Sequence, residues 1–246
     1  MTLLERYLNG ERDAVWAELR AADERVRKEP LFSEAQAVLR EAMTRVRRNI
    51  QTIVMFLEGE GYRFGTYPQG DTPLEEVGFH EDFHGIPLGT PLSDTRKRIE
   101  AFEAEFGRLP LTLRMFWEIV GSVNLVGHHP NWYVYSGPLW VEPITILEWT
   151  WDEFQPSDLE IRVYVSPDIY HKENVSGSEA YFLTVPNNCL DGRLMFEDSE
   201  VTFLEYLRTS LAFAGFPGCK FDLGANKPAL PLPEQLKKLA ATLEPI

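Results

Sequence analysis

The stretch Ile99–Gly127, IEAFEAEFGRLPLTLRMFWEIVGSVNLVG, decides the fold of this 246-residue chain. Its first half carries Ile99, Phe102 and Phe106 at spacings of three and four, which predicts one buried face of a helix. Gly107 is suited to ending that helix, because glycine readily adopts the left-handed backbone just past a helix end. The first half is therefore predicted to be a helix that stops at a tight turn.

The second half of the stretch predicts another helix and then a strand. Pro110 suits the first turn of a helix, where its missing N–H costs no hydrogen bond. The buried stripe of this second helix is predicted to be Leu113, Phe116, Trp117 and Val120. Gly121 ends the helix and a strand begins near Val123, so the two helices are expected to pack as a corner against a sheet.

The N-terminal part of the chain, residues 1–60, is predicted to be helical. One helix is expected from about Arg12 to Lys28 and ends before Pro30, because the residue before proline avoids the α region. The sequence Ser33–Gln36 matches a capping box and predicts the start of a long third helix that ends at Gly59. Its buried stripe is predicted to be Ala37, Leu39, Ala42, Val46, Ile50, Ile53 and Leu57.

Beyond residue 127 the chain is predicted to be rich in strands. Short β-branched and aromatic runs, bounded by Gly, Pro, Asn or Asp, indicate them. The predicted strands are Trp132–Tyr135, Leu139–Glu142, Ile144–Trp149, Ile161–Val165 and Ala180–Val185, with an edge strand at Leu194–Phe196. A helix over Val201–Ala214 and a short last helix after Pro233 complete a predicted α+β fold.

The opening stretch also carries a family resemblance. Its pattern I-x-x-F-E-x-x-F-G-x-L-P, followed by F-W and by G-x-V-N-x-x-G, resembles the entry motif of the SUKH superfamily of bacterial proteins. The segments His171–Gly177, Thr202–Arg208 and Gly215–Gly218 are similar to later parts of such proteins, so the resemblance spans roughly 95–218. It implies a mixed sheet flanked by helices and a non-enzymatic immunity protein that neutralises a bacterial toxin, such as a nuclease.

Three regions follow from the pattern and the resemblance together. Residues 1–60 form the helical N-terminal region, which the SUKH core does not explain. Residues 61–94, with four prolines, six glycines and a single basic residue, form an irregular connection. Residues 95–246 form the SUKH-like α+β domain.

The charge of the chain is distributed unevenly. Net charge is −14, yet residues 1–60 carry 10 basic and 11 acidic residues, whereas residues 61–246 carry 14 and 27. An acidic field repels nucleic acid and anionic lipid and favours a basic protein partner. For the short basic run of Arg45, Arg47 and Arg48 we expect a solvated face or intramolecular ion pairs, with a phosphate contact as the alternative.

Targeting and cofactor signals give a further set of expectations. No apolar run approaches the ~18 residues of a membrane helix, and the N-terminus lacks the apolar core of a signal peptide. The two cysteines, Cys189 and Cys219, lie thirty residues apart and are expected to be free thiols. We therefore expect a cytoplasmic protein without a cofactor.

The candidate binding residues lie between positions 149 and 160. If Trp149–Trp151 is a strand, its two tryptophans point to the same side, and acidic residues rim them. Aromatic residues are enriched where protein interfaces bind most strongly. The predicted contact residues are Trp149, Trp151, Asp152, Glu153, Asp158 and Glu160.

Two other functions compete with protein binding by this surface. His80, Glu81 and His84 match the H-E-x-x-H motif of zinc proteases, which would make the protein a metal-dependent hydrolase. That motif requires a helix, however, and the glycines and proline around it disfavour one. A scaffold subunit that docks through its N-terminal helices is the other alternative. His171 could act as an acid or base only beside a cleft and a partner.

Overall fold

The structure is a computed structural model that describes residues 1–66, 85–132, 137–172, 179–196, 199–219 and 231–246. Its helices and small sheets confirm the α+β class. The H-E-x-x-H segment and most of the Trp132–Tyr135 prediction lie outside the described residues.

The N-terminal helices are α1 (Leu3–Leu8), α2 (Arg12–Ala21) and α3 (Leu31–Gly59). The single helix predicted over Arg12–Lys28 is wrong in its second half, because residues 23–27 form a 3-10 turn. Asp23 there has a φ of +50°, which an α-helix cannot contain. Its carboxylate accepts a hydrogen bond from the Cys189 thiol at 2.9 Å, so a distant contact accompanies the break.

Helix α3 begins earlier than the sequence predicts. The capping box at Ser33 is wrong, because Ser33 lies inside the helix, where its N–H and hydroxyl donate to the Glu29 carboxylate. The predicted stripe is confirmed apart from Ala37, which is half-buried. The buried residues of α3 are Ala35, Val38, Leu39, Ala42, Met43, Val46, Asn49, Ile50, Ile53 and Leu57.

The three arginines of α3 bind other parts of the same chain. Arg48 forms two hydrogen bonds to the Glu244 carboxylate, at 2.7 and 2.8 Å. Arg47 donates to the carbonyl of Val120 at 2.5 Å, and Arg45 donates to that of Pro245 at 3.1 Å. Their expected intramolecular use is therefore confirmed.

The corner predicted at the centre of the chain is present as α4 (Thr95–Phe106) and α5 (Leu111–Ile119). Helix α5 packs on α3, which joins the N-terminal helices to the rest of the molecule. The Arg27 side chain donates to the carbonyls of Leu109 and Asn188, and so holds the turn between the two helices. Burial lowers the pKa of Arg27 to about 10, which leaves it charged at neutral pH.

The strands form three antiparallel sheets in the described part of the chain, where the prediction has one mixed sheet. Two of these sheets are two-stranded and pair β1 (Arg63–Phe64) with β3 (Gly127–His128), and β2 (Val123–Asn124) with β4 (Trp140–Val141). The third has the order β5-β6-β7-β8. Its strands are β5 (Ile161–Ser166), β6 (Tyr181–Val185), β7 (Arg193–Phe196) and β8 (Ser199–Thr202).

Two strand predictions fail for identifiable reasons. The strand over Ile144–Trp149 is wrong: residues 144–146 form a 3-10 turn that leads into α6 (Leu147–Glu153). Leu147 and Thr150 are buried at a spacing of three, which is a helical period. The strand at Leu194–Phe196 exists but is not an edge, because β8 pairs along its outer side.

The remaining helices are α7 (Ile169–Lys172), α8 (Phe203–Ala212) and α9 (Glu234–Ala240). Thr202 caps α8 in a capping box with Glu205. The helix therefore starts at Phe203, two residues after the predicted start at Val201. One contiguous hydrophobic core includes Trp16 and Leu39 as well as Phe116 and Phe203. The N-terminal helices are thus packed on the sheet-bearing part. In the described ranges, none of the helices has the length and apolar content needed to cross a membrane.

Candidate functional site

Helix α6 and the segment after it present a row of exposed carboxylates, which we call the acidic face. It consists of Glu148, Asp152, Glu153, Asp158 and Glu160, all solvent-exposed. The sequence contains no lysine or arginine from residue 115 to residue 161, so the chain itself supplies no cation within this stretch. The four acidic residues of the predicted site are thus all exposed and lie within nine positions of the chain.

The positive charges near the acidic face come from other elements. Arg98 of α4 binds Glu148 at 2.5 Å, and Arg162 of β5 binds Glu160 at 2.8 Å. Within the described residues, no cation lies within 4 Å of Asp152, Glu153 or Asp158. Glu153 accepts a hydrogen bond from the Tyr164 hydroxyl at 3.2 Å, and Asp158 accepts one from the backbone of Gln155. Three negative charges of this face are thus not neutralised by an ion pair in the described part of the chain.

The two predicted tryptophans do not form one exposed patch. They lie two residues apart on a helix, so their side chains point about 200° apart. The Trp151 ring packs edge-on against Phe102 and Phe106, with centroid distances of 5.3 and 6.0 Å. Its Nε1 donates to the Glu105 carboxylate at 2.6 Å. Trp151 therefore packs α6 against α4 and is half-buried.

An exposed leucine lies within the acidic face instead. Leu159 is fully exposed between Asp158 and Glu160. A single exposed leucine is common on protein surfaces and needs no explanation by itself. Here it is an exposed apolar side chain next to Asp158, which has no ion-pair partner among the described residues. The sequence pattern did not single it out, because one leucine in a polar loop shows no periodicity.

A second group of ionisable residues is buried where β4, β5, α7 and α8 meet. Asp168 is fully buried, and its Oδ1 accepts the backbone N–H groups of Tyr170 at 2.7 Å and His171 at 3.1 Å. Its Oδ2 is hydrogen-bonded to Nδ1 of His171, whose side chain is one-third exposed. Asp168 is thus the partner that an acid–base role of His171 requires.

The lysine beside this pair is buried as well. Lys172 is 3% exposed; its Nζ lies 3.4 Å from the Tyr206 hydroxyl and 4.7 Å from the centroid of the Tyr181 ring. Glu142, 4% exposed, interacts electrostatically with Lys172. Burial raises the pKa of Glu142 to about 7, although a hydrogen bond from Trp140 and the charge of Lys172 oppose that shift. Sequence reasoning missed Glu142, since it occurs singly in an apolar run.

An Asp–His pair can position a general base, but catalysis also requires a substrate site. Two surface cavities, of about 470 and 530 Å³, are lined by α8, α9 and the C-terminal residues. Neither of them is lined by His171.

The other candidate residues are accounted for by local contacts. His129 is buried, donates through Nε2 to the carbonyl of Glu60 at 2.8 Å and stacks on Trp132 at 3.9 Å. Cys189 and Cys219 are not in a disulfide, as expected, and burial raises the pKa of Cys189 to about 11. That thiol stays protonated at neutral pH and is a poor nucleophile. In the parts of the chain that the structure describes, no three His, Cys, Asp or Glu residues are placed to hold a metal ion.

No protein-family model, curated protein or solved structure matches the chain.

Proposed function

We propose that the protein is a non-enzymatic binding module that captures a basic protein on its acidic face. The observation that carries this proposal is the set of exposed carboxylates of Asp152, Glu153 and Asp158, which have no ion-pair partner among the described residues. Unneutralised like charges repel one another, and a basic partner that binds across them removes that repulsion. The fully exposed Leu159 adds an apolar contact inside the same region.

The partner that fits best is a toxin whose working surface is basic. The SUKH resemblance supports an immunity protein, and nucleases, as enzymes that bind the phosphate backbone, need positive charge at the active site. An acidic face that covers such a surface blocks access of nucleic acid to it. The net charge of −14 adds long-range attraction, which speeds the encounter.

The test is a charge-neutralised variant of the acidic face. We expect the triple variant Asp152→Asn, Glu153→Gln, Asp158→Asn to bind its partner on the order of 100-fold more weakly, because each lost charge removes about 1 kcal/mol of attraction. Most of the loss should occur in the association rate, and binding by the unchanged protein should weaken as salt is raised. Surface plasmon resonance with the protein that co-purifies from the native host at low salt measures both quantities.

A matched control variant makes the same change in net charge at positions outside the acidic face. The variant Glu58→Gln, Glu60→Gln, Glu100→Gln also removes three exposed acids, from α3, its C-terminal end and α4. It should change the affinity less than 3-fold. Equal losses in the two triple variants would show that net charge, not the acidic face, governs binding, and the lack of any stoichiometric complex at low salt would refute the proposal.

A further inference from the structure

A buried hydrogen-bonded chain runs from Lys172 through Tyr206 to the backbone of Trp140, two residues before the buried acid Glu142. The Lys172 ammonium donates to the Tyr206 hydroxyl, which in turn donates at 3.5 Å to the carbonyl of Trp140. The chain therefore links α7, α8 and the end of β4 through groups that are almost completely removed from water.

The backbone of Glu142 lies at a junction of the fold. Its N–H donates to the carbonyl of Val165 in β5 at 2.8 Å, and its carbonyl accepts the Trp117 indole N–H of α5 at 2.9 Å. Pro143 follows at once and leads into the 3-10 turn and α6, which carries the acidic face. The protonation state of the Glu142 side chain therefore affects the segment that leads into α6.

The groups around Glu142 leave its charged form incompletely stabilised. Helix α7 contributes Lys172, while its His171 is already bonded to Asp168, which precedes the helix. Tyr206 of α8 and Tyr181 of β6 face Lys172, while α5 presents the neutral indole of Trp117. The ionisable side chains of β5, Arg162 and Tyr164, bond to surface glutamates instead. Among the described residues, Oε1 of Glu142 is buried without a hydrogen-bond partner.

We propose that Glu142 and Lys172 form a proton-linked lock, in which uptake of one proton by Glu142 strengthens the junction of β4 with α5, α7 and α8. A buried carboxylate with an unsatisfied oxygen carries a desolvation cost that the neutral acid avoids. Lys172 keeps its contacts with the two tyrosines in either state. Mild acidification thus stabilises the contacts of Glu142 with β5 and α5.

The direction of the pH effect follows from proton linkage. In the unfolded chain Glu142 releases its proton near pH 4.5, whereas burial in the folded protein holds that proton up to about pH 7. Between these values the folded state binds more protons than the unfolded state. Stability therefore falls as the pH rises from about 5 to 8.

Urea unfolding between pH 5 and pH 8 tests the lock. Over this range we expect the midpoint of the unchanged protein to fall by on the order of 1 M more than that of Glu142→Gln, which cannot titrate. Glu142→Gln should also be the more stable protein at pH 8. Glu100→Gln, an exposed glutamate on α4, is the matched control and should follow the unchanged protein.

Two further measurements distinguish the titration of Glu142 from that of other groups. His171→Gln should retain the pH dependence of stability. If that dependence is lost in His171→Gln but kept in Glu142→Gln, the proposal is overturned. In the unchanged protein, the carboxyl carbon of Glu142 should titrate near neutral pH by NMR. Titration of that carbon near pH 4.5, or a Glu142→Gln variant less stable than the unchanged protein at pH 8, would equally overturn it.

Discussion

Replacing Trp117 with alanine is expected to lower the free energy of unfolding by about 4 kcal/mol. Trp117 is 1% exposed in the second half of α5, the helix that joins α3 to the sheet-bearing part of the molecule. The substitution leaves a large cavity and removes the indole N–H that binds the carbonyl of Glu142 at 2.9 Å. Chemical denaturation followed by circular dichroism measures the change.

A second substitution at the same position separates packing from hydrogen bonding. Trp117→Phe keeps most of the apolar contacts but loses the donor, so it should cost about 1–2 kcal/mol. A loss below 1 kcal/mol in Trp117→Ala would show that α5 is not part of the core as the structure describes it. Equal losses in the two variants would assign the whole effect to the hydrogen bond.

Replacing Gly121 with alanine is expected to cost roughly 3 kcal/mol, by a different mechanism. The φ of Gly121 is +92°, a conformation that residues with a Cβ rarely adopt. A Cβ at this position would lie 2.8 Å from the nitrogen of Pro91 and 2.9 Å from the carbonyl oxygen of Gly89. Both are backbone atoms that cannot rotate away, so the chain between α5 and β2 would have to shift. Thermal unfolding should detect the loss as a lower melting temperature.

Gly59 provides a control in the opposite direction. It lies at the end of α3 with no atom within 4 Å of an added Cβ. Gly59→Ala should therefore stabilise the protein by up to about 1 kcal/mol, because alanine favours the helix more than glycine does. A neutral Gly121→Ala would contradict the close approach of the 89–91 segment to the end of α5.

The central corner was predictable because its signals are local. Apolar residues at helical spacing and glycines at the two helix ends specify α4 and α5, and the structure confirms both. Gly107 and Gly121 have positive φ, as their positions after the helices predict. Such features depend on residues within one or two turns of each other, and the sequence displays these directly.

The segment over residues 144–153 was not predictable in the same way. A short apolar run is compatible with either a buried strand or a buried helix, and periodicity cannot distinguish them over six residues. Packing decides here: the Trp151 ring fits against Phe102 and Phe106, and the Thr150 hydroxyl bonds to the carbonyl of Arg162 in β5. The predicted aromatic patch required a strand, in which Trp149 and Trp151 point to the same side. Because this segment is a helix, its end presents acidic residues instead. The division into regions 1–60, 61–94 and 95–246, like the SUKH resemblance, stays a prediction.

The sequence by itself determined the α+β class, the helical faces and the concentration of negative charge in residues 61–246, because composition and local spacing express all three. Tertiary structure alone decided which carboxylates have cationic neighbours. Arg98 and Arg162 come from other elements to pair with Glu148 and Glu160, and the charge of Lys172 acts on Glu142, thirty positions away in the chain. The physical reason is that ion pairing and burial depend on distance in space, which no local pattern of residues records.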